Sequence, residues 1–198
     1  ASLEYLLHFD IDKRNFTIVD VDEDGHKLQQ YNRLLFCDSK KRIWAGGEMG
    51  ISVFNQVGTS LLPNTDFQIA SVLKQAFVNC FYETSSGYLW IGTRNGLFAL
   101  KESDKQFLQY TTENGLPSNV IYGILEDAYG RLWISTNQGL SCLNPESGKF
   151  RNFTIMDGLQ GNQFNAGAYC RKDNGYMLFG GVNGITSFRP ETLIDNPY

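Results

Sequence analysis

Histidine is nearly missing from this chain. Its two copies, His8 and His26, sit in no metal-ligand spacing and in no serine–histidine–aspartate pattern, which removes the commonest general base and most zinc sites. Four cysteines (Cys37, Cys80, Cys142, Cys170) form no CxxC pair. Each falls in or beside an apolar run, so buried free thiols are expected rather than a bridge or a metal centre. Charge of one sign never accumulates: 17 Lys and Arg stand against 21 Asp and Glu, a net charge of −4. Nucleic acid and anionic membrane are therefore excluded as partners, and no direct membrane contact by this chain is expected. No apolar stretch reaches the roughly 18 residues of a membrane helix, and the first residues do not read as a signal peptide. Equipment for export or anchoring would lie outside this chain.

What the chain has is aromatics (14%) and 20 glycines, in keeping with many short strands joined by tight turns. One phrase recurs four times: RIWAGGEMGI (Arg42–Ile51), YLWIGTRNGL (Tyr88–Leu97), RLWISTNQGL (Arg131–Leu140) and YMLFGGVNGI (Tyr176–Ile185). The aligned residues Trp44, Trp90, Trp133 and Leu178 are 46, 43 and 45 residues apart. A period of about 40–45 residues, with four short strands per unit, marks a β-propeller blade.

The third unit shows the strands plainly: Val120–Asp127, Arg131–Thr136, Leu140–Asn144 and Phe150–Thr154. The fold class is thus all-β, with β-propeller blades of four antiparallel strands in about four repeats. The expected blades cover residues 28–66 (irregular), 77–112, 119–155 and a closing 164–190. Residues 1–20 supply the outer strands of a preceding blade, Leu6–Asp10 and Phe16–Asp20. The turn Glu23-Asp24-Gly25 then matches Glu113-Asn114-Gly115 and Met156-Asp157-Gly158. The last unit ends near Phe188 without a fourth strand, so the array reads as a partial propeller. It would be an open arc, or a small ring closed by the Phe16–Asp20 strand.

Gly50, Gly96, Gly139 and Gly184 each follow the Trp/Leu position by six residues, where a two-residue hairpin turn needs positive φ. Gly46, Gly92, Ser135 and Gly180 follow it by two, where a small residue lets the next blade approach. The tryptophans are read as packing wedges between blades. Lys41 stands where the other units have a turn glycine.

Function is expected on the rim, where the turn between strands two and three meets the link to the next blade. The candidate ligand-binding residues there are Glu48, Arg94, Asn119, Asn137, Gln138, Asn162, Gln163 and Asn165. Amide and guanidinium groups near aromatics offer the paired donors and acceptors that hydroxyl-rich ligands need. Asn95 and Asn183, directly before glycine, are read as turn residues. No catalytic constellation is visible. Glu126 and Asp127 are adjacent on a strand and point to opposite faces, and NGYMLFGGVNG lacks the strand-to-helix setting of a phosphate loop. No enzyme activity, cofactor or metal is expected, which disfavours a propeller lyase or glycosidase.

The combination LWIGTxNGL, Phe107-Leu108-Gln109-Tyr110-Thr111 with Gly115-Leu116-Pro117-Ser118-Asn119, and a closing segment from Asn162 to Pro190 resembles the two-component-regulator propeller repeats. The third unit departs mildly, with Ser135 for glycine and Leu159-Gln160-Gly161 for Leu-Pro-Ser. The resemblance implies the periplasmic sensor region of a hybrid two-component histidine kinase/response regulator, an oligosaccharide ligand, and signalling by rearrangement of a dimer. It also implies that residues 191–198 form the junction to a downstream domain. The exposed edges of an open arc add the expectation of self-association through propeller edges or of contact with missing domains. The alternative is a structural or protein-docking propeller without a small-molecule ligand.

Overall fold

Short aromatic and β-branched runs, broken by glycine turns, can satisfy their backbone groups only by pairing with the next run along the chain. In the computed structural model, residues 6–11, 13–19, 32–57, 60–64, 66, 71–101 and 106–193 are described. Among them each sheet is a meander in sequence order. The chain divides into two compact units, Ala1–Val78 and Asn79–Tyr198.

The first unit holds a hairpin and a four-stranded blade. β1 (Leu6–Asp10) pairs with β2 (Asn15–Val19), as expected for the N-terminal strands, with Phe9 and Phe16 in ring contact at 4.6 Å. The blade is β3 (Asn32–Cys37), β4 (Arg42–Gly47), β5 (Gly50–Val57) and β6 (Ser60–Pro63). Its core includes Trp44, Ala45, Val53, Phe54 and Leu73. Lys41 holds the β3–β4 turn at φ +61°, while Gly87, Gly130 and Gly175 hold the same turn at +80°, +75° and +84°. The left-handed conformation is therefore required there whatever the residue, and a lysine adopts it against a steric cost of roughly 1 kcal/mol. The Glu23-Asp24-Gly25 turn and residues 194–198 of the expected junction lie outside the described residues.

The second unit carries three blades. The second blade comprises β7 (Val78–Glu83), β8 (Leu89–Thr93), β9 (Gly96–Lys101) and β10 (Gln106–Tyr110). The third comprises β11 (Ile121–Glu126), β12 (Leu132–Thr136), β13 (Gly139–Asn144) and β14 (Lys149–Phe153). The fourth has β15 (Phe164–Arg171), β16 (Met177–Gly181) and β17 (Gly184–Phe188), and no fourth strand among the described residues. Every residue of β8 and β12 is buried, because both faces of a blade are covered; this is why apolar–polar alternation is weak in the sequence.

Blade-to-blade packing makes the core. Trp90, Leu97 and Ala99 meet Ile121, Ile124 and Leu132, and one blade on, Trp133, Leu140 and Phe153 meet Phe164, Met177 and Phe179. Trp90 and Trp133 are each 2% exposed, so they are the wedges expected of them. The small residue at 92 has the anticipated reason: a Cβ on Gly92 would lie 2.4 Å from Cys80 Sγ and 2.7 Å from Ile121 Cγ2 of the next blade. β11 approaches β15 as tightly, since a Cβ on Gly123 would fall 2.2 Å from the Tyr169 ring.

The cysteine expectation needs correction. Cys80 and Cys142 are buried, but Cys37 and Cys170 are exposed, and all four are free thiols. Cys170 pairs with Leu178 as Leu125 pairs with Trp133, so it lies on the face that in the third blade is covered by the fourth. No blade follows the fourth among the described residues. Cys37 is in register with Glu126 and Arg171, a strand-end position that the other blades leave polar.

Candidate functional site

In the second unit the turn and link of the expected rim are tied together by the backbone. Gly96 N donates to Asn119 O at 2.8 Å, and Gly139 N donates to Asn162 O at 2.6 Å. Both glycines sit near φ +117° (118° and 116°), and a Cβ on Gly139 would lie 2.4 Å from Phe153 O, so only glycine closes this turn. Each link opens with a capped 3-10 turn. Thr111 N donates to Asn114 Oδ1 at 2.8 Å, and Thr154 N to Asp157 Oδ2 at 2.8 Å. Gly115 and Gly158 close these turns at positive φ. The motifs Thr-x-x-Asn-Gly and Thr-x-x-Asp-Gly are thus capping boxes.

These contacts decide what the predicted residues do. Asn119 Oδ1 accepts from Thr112 N, and Asn162 Oδ1 from Ile155 N, both at 2.8 Å, so each amide carbonyl staples its own link. Gln163 takes part through its main-chain oxygen, which accepts from Gln160 Nε2 and from Val182 N. Asn165 is an exposed residue of β15. Arg94 and Gln138 are exposed at the tips of the β8–β9 and β12–β13 turns. Asn137 is half-buried, and its Oδ1 is shielded from solvent with no hydrogen-bond partner. Glu48 belongs to the first unit, where it pairs with Arg33 at 2.6 Å. The fold therefore groups Arg94 with the Asn119 link, and Asn137 and Gln138 with the Asn162 link.

A second polar arrangement, missed in the sequence, sits at the opposite end of the second strands. Asp38 Oδ2 accepts from Trp44 Nε1 (2.8 Å) and Arg42 Nε (2.6 Å), while its Oδ1 accepts from Arg42 N (2.9 Å). Asp127 repeats this: Oδ2 accepts from Trp133 Nε1 at 3.0 Å and Arg131 Nε at 2.7 Å, and Oδ1 from Arg131 N at 2.9 Å. Burial alone would push the Asp38 carboxyl up, but the hydrogen bonds from Trp44 and Arg42 outweigh it and hold the group below its ordinary range. Burial likewise opposes charge on Arg131, and its bond to Asp127 reverses that, so Arg131 is held above its usual value. The second blade has Thr84 and Tyr88 in place of Asp and Arg. Trp90 Nε1 is consequently buried with no partner. An alignment of Asp-x3-Arg-x-Trp against Thr-x3-Tyr-x-Trp carries that signal in the sequence.

Glu126 and Asp127 go separate ways, as their adjacency on a strand requires. Asp127 serves its own blade, whereas Glu126 accepts from Ser85 N (3.0 Å) and Ser85 Oγ (2.9 Å) of the blade before. Among the described residues no group of three or more His, Cys, Asp or Glu is placed to hold a metal ion, and no helix is long and apolar enough to cross a membrane.

Comparison with known proteins agrees with this architecture. Residues 73–95 and 115–138 match the family model for the two component regulator propeller. A curated relative, histidine kinase P4 of Formosa agariphila, is 29% identical over 200 residues, covering 97% of this chain and 14% of the relative. The extracellular domain of the hybrid two component system BT3049 of B. thetaiotaomicron superposes with a TM-score of 0.75 at 25% identity, covering 91% of this chain and 25% of that one. That of BT4673 from the same organism gives 0.73 at 19% identity, covering 97% and 25%, a likeness of fold. The chain thus spans a small part of the relatives it matches. Residues 73–95 and 115–138 are thus similar to two component regulator propeller repeats, and the chain is similar to part of the extracellular domain of a hybrid two-component system.

Proposed function

We propose that this chain is part of the extracytoplasmic sensing region of a hybrid two-component system, and that it takes part in detecting an oligosaccharide. The observation that carries this reading is the match along 91% of the chain to the extracellular domain of such a system. The rim supports it: Arg94 and Gln138 are exposed at the turn tips, and a guanidinium with an amide brings the donors and the acceptor that suit hydroxyl groups. Signalling then requires that the ligand bind one arrangement of paired sensor regions better than another, since equal affinity shifts no population. The fourth blade, with three strands among the described residues, offers an edge for such pairing.

A protein-docking role is the second reading. It is favoured by exposed apolar side chains on the links and turns of the same rim, Ile155 (54% exposed), Met156 (91%) and Val182 (59%). Thermal denaturation against a broad panel of neutral, acidic and amino-sugar glycan fragments separates the two. Stabilisation by one sugar class, accompanied by a ligand-dependent change in sedimentation, supports sensing. A flat response across the panel refutes it in favour of docking.

A further inference from the structure

The buried indole of Trp90 lines a cleft of about 340 Å³ whose walls come from the second blade and the first and third hairpins of the third. Tyr88, Trp90, Tyr110, Ala99 and Leu108 form one wall; Glu126, Tyr129 and Glu146 stand opposite. The three aromatic rings form a continuous group, with Trp90 at 6.1 Å from Tyr88 and 5.9 Å from Tyr110. We infer that this cleft binds an uncharged saccharide, one sugar face lying against the Tyr88–Trp90–Tyr110 wall and a hydroxyl oxygen accepting from Trp90 Nε1. The inference shares the ligand class of the proposed function and assigns it to different residues, away from the rim.

Three features select that chemistry. The unpartnered indole N–H is a donor only, so it calls for an acceptor and is not satisfied by an ammonium group. Glu126 and Glu146 in the opposite wall repel a carboxylate or sulfate, so the acceptor must be neutral. A hydroxyl answers both, since it can accept from Trp90 and donate to a carboxylate. The aromatic wall adds the flat apolar surface against which the C–H face of a sugar packs. Nε1 is sealed from solvent, so access of a hydroxyl to it requires movement of the adjoining Thr84–Tyr88 turn, whose tip residues Ser85, Ser86 and Gly87 are exposed and whose Ser85 is bonded to Glu126.

The next blade supplies an internal control. Its equivalent cleft, about 250 Å³, is lined by Arg131, Trp133, Lys149, Arg151 and Phe153. There the indole N–H is already bonded to Asp127, and Arg151 stands where the second blade has Leu108. In one blade the indole N–H is answered and the lining is cationic; in the other the N–H is unanswered and the lining carries two carboxylates.

The test uses the full chain with tryptophan indoles labelled with nitrogen-15, titrated with maltose, cellobiose, galactobiose and xylobiose. The expected result is that at least one moves the Trp90 indole N–H resonance while those of Trp44 and Trp133 stay in place. Glucuronate should leave all three unmoved. Leu108→Arg, which copies the residue the third blade carries, and Glu146→Gln should each weaken binding about tenfold. Both alter exposed positions, so their folding is checked by an unchanged spectrum of Trp44 and Trp133. Binding that leaves the Trp90 indole unmoved overturns the cleft while sparing the sensing role. Absence of binding by all four disaccharides also overturns the cleft, and the sensing role then rests on the wider panel.

Discussion

Removing the Asp127 carboxylate should be among the most damaging single changes in the second unit, and its size follows from what the group holds. Asp127 is 4% exposed, and its Oδ2 accepts from Arg131 Nε and Trp133 Nε1 while Oδ1 accepts from Tyr129 N and Arg131 N. In Asp127→Ala all four donors lose their acceptor at once. The indole is 2% exposed and the guanidinium partly buried, so water repairs the loss incompletely. Breaking a buried charged partnership of this kind costs about 3–5 kcal/mol. For a chain of this length that lowers the melting temperature by roughly 10 °C. Asp127→Thr is the informative companion. It copies Thr84, whose Oγ1 accepts from Tyr88 N at 3.1 Å and so keeps the turn while leaving the indole unpaired. Asp127→Thr should therefore recover about 1 kcal/mol relative to alanine, the worth of the turn bond. Urea unfolding followed by far-ultraviolet circular dichroism gives both values. If Asp127→Ala costs under 1 kcal/mol, or threonine rescues nothing, the carboxylate is not the keystone of the blade.

Four further outcomes follow from the same geometry. Thr84→Asp should give Trp90 Nε1 its missing partner, moving that indole resonance toward those of Trp44 and Trp133 and abolishing any sugar response of the cleft; an unmoved resonance would show that the turn cannot deliver a carboxylate there. Asp38 is held below its ordinary value of 3.8, so its contribution is fully present above that pH and lost as pH falls through the lower folded value. The stability gap between wild type and Asp38→Asn should accordingly be widest at neutral pH and shrink below about pH 4, as read from urea midpoints at pH 7, 5 and 3. Burial pushes the Cys80 thiol up to about 12, whereas Cys37 and Cys170 are exposed, so a thiol reagent at pH 8 should modify two cysteines in the native chain and four after unfolding. Gly123→Ala should cost about 1–3 kcal/mol in chemical denaturation, because its Cβ would meet the Tyr169 ring at 2.2 Å in a packed interface.

The architecture was legible because a repeat makes the same local demands four times. Glycine six residues after the tryptophan, a small residue two after it and aromatic-rich strands in between are each dictated by backbone geometry, and backbone geometry is common to all blades. Lys41 shows the strength of that constraint, since the turn keeps its left-handed φ of +61° even where glycine is gone. The exposure of Cys37 and Cys170 was not legible, because a strand position is buried only if a neighbouring blade covers it, and coverage is a property of the array rather than of the segment. The rim was half legible: the turn and link do meet, through Gly96 N to Asn119 O and Gly139 N to Asn162 O. Which asparagines are occupied with the loop itself depended on hydrogen bonds seven residues apart, Thr112 to Asn119 and Ile155 to Asn162, that no composition rule reveals.

The Trp90 cleft points to how such an array gains a ligand site without departing from its fold. A blade needs its tryptophan as a wedge, and the wedge brings a polar N–H that must be answered. Asp38 and Asp127 answer it from inside the blade. Thr84 is one carboxylate short, and Tyr88 replaces the arginine that would have balanced the charge. The two exchanges belong together, since an arginine without its aspartate would be an unpaired cation beside the indole, and an aspartate without its arginine would add to the charge of Glu126. What they leave is a buried donor, an aromatic wall and two carboxylates, within a blade that keeps its four antiparallel strands. A penalty of about 1–3 kcal/mol for the unanswered N–H is within what a blade packed on both sides can carry. That same penalty is returned when an outside oxygen takes the place of the missing carboxylate, which couples occupancy of the cleft to the stability of the blade.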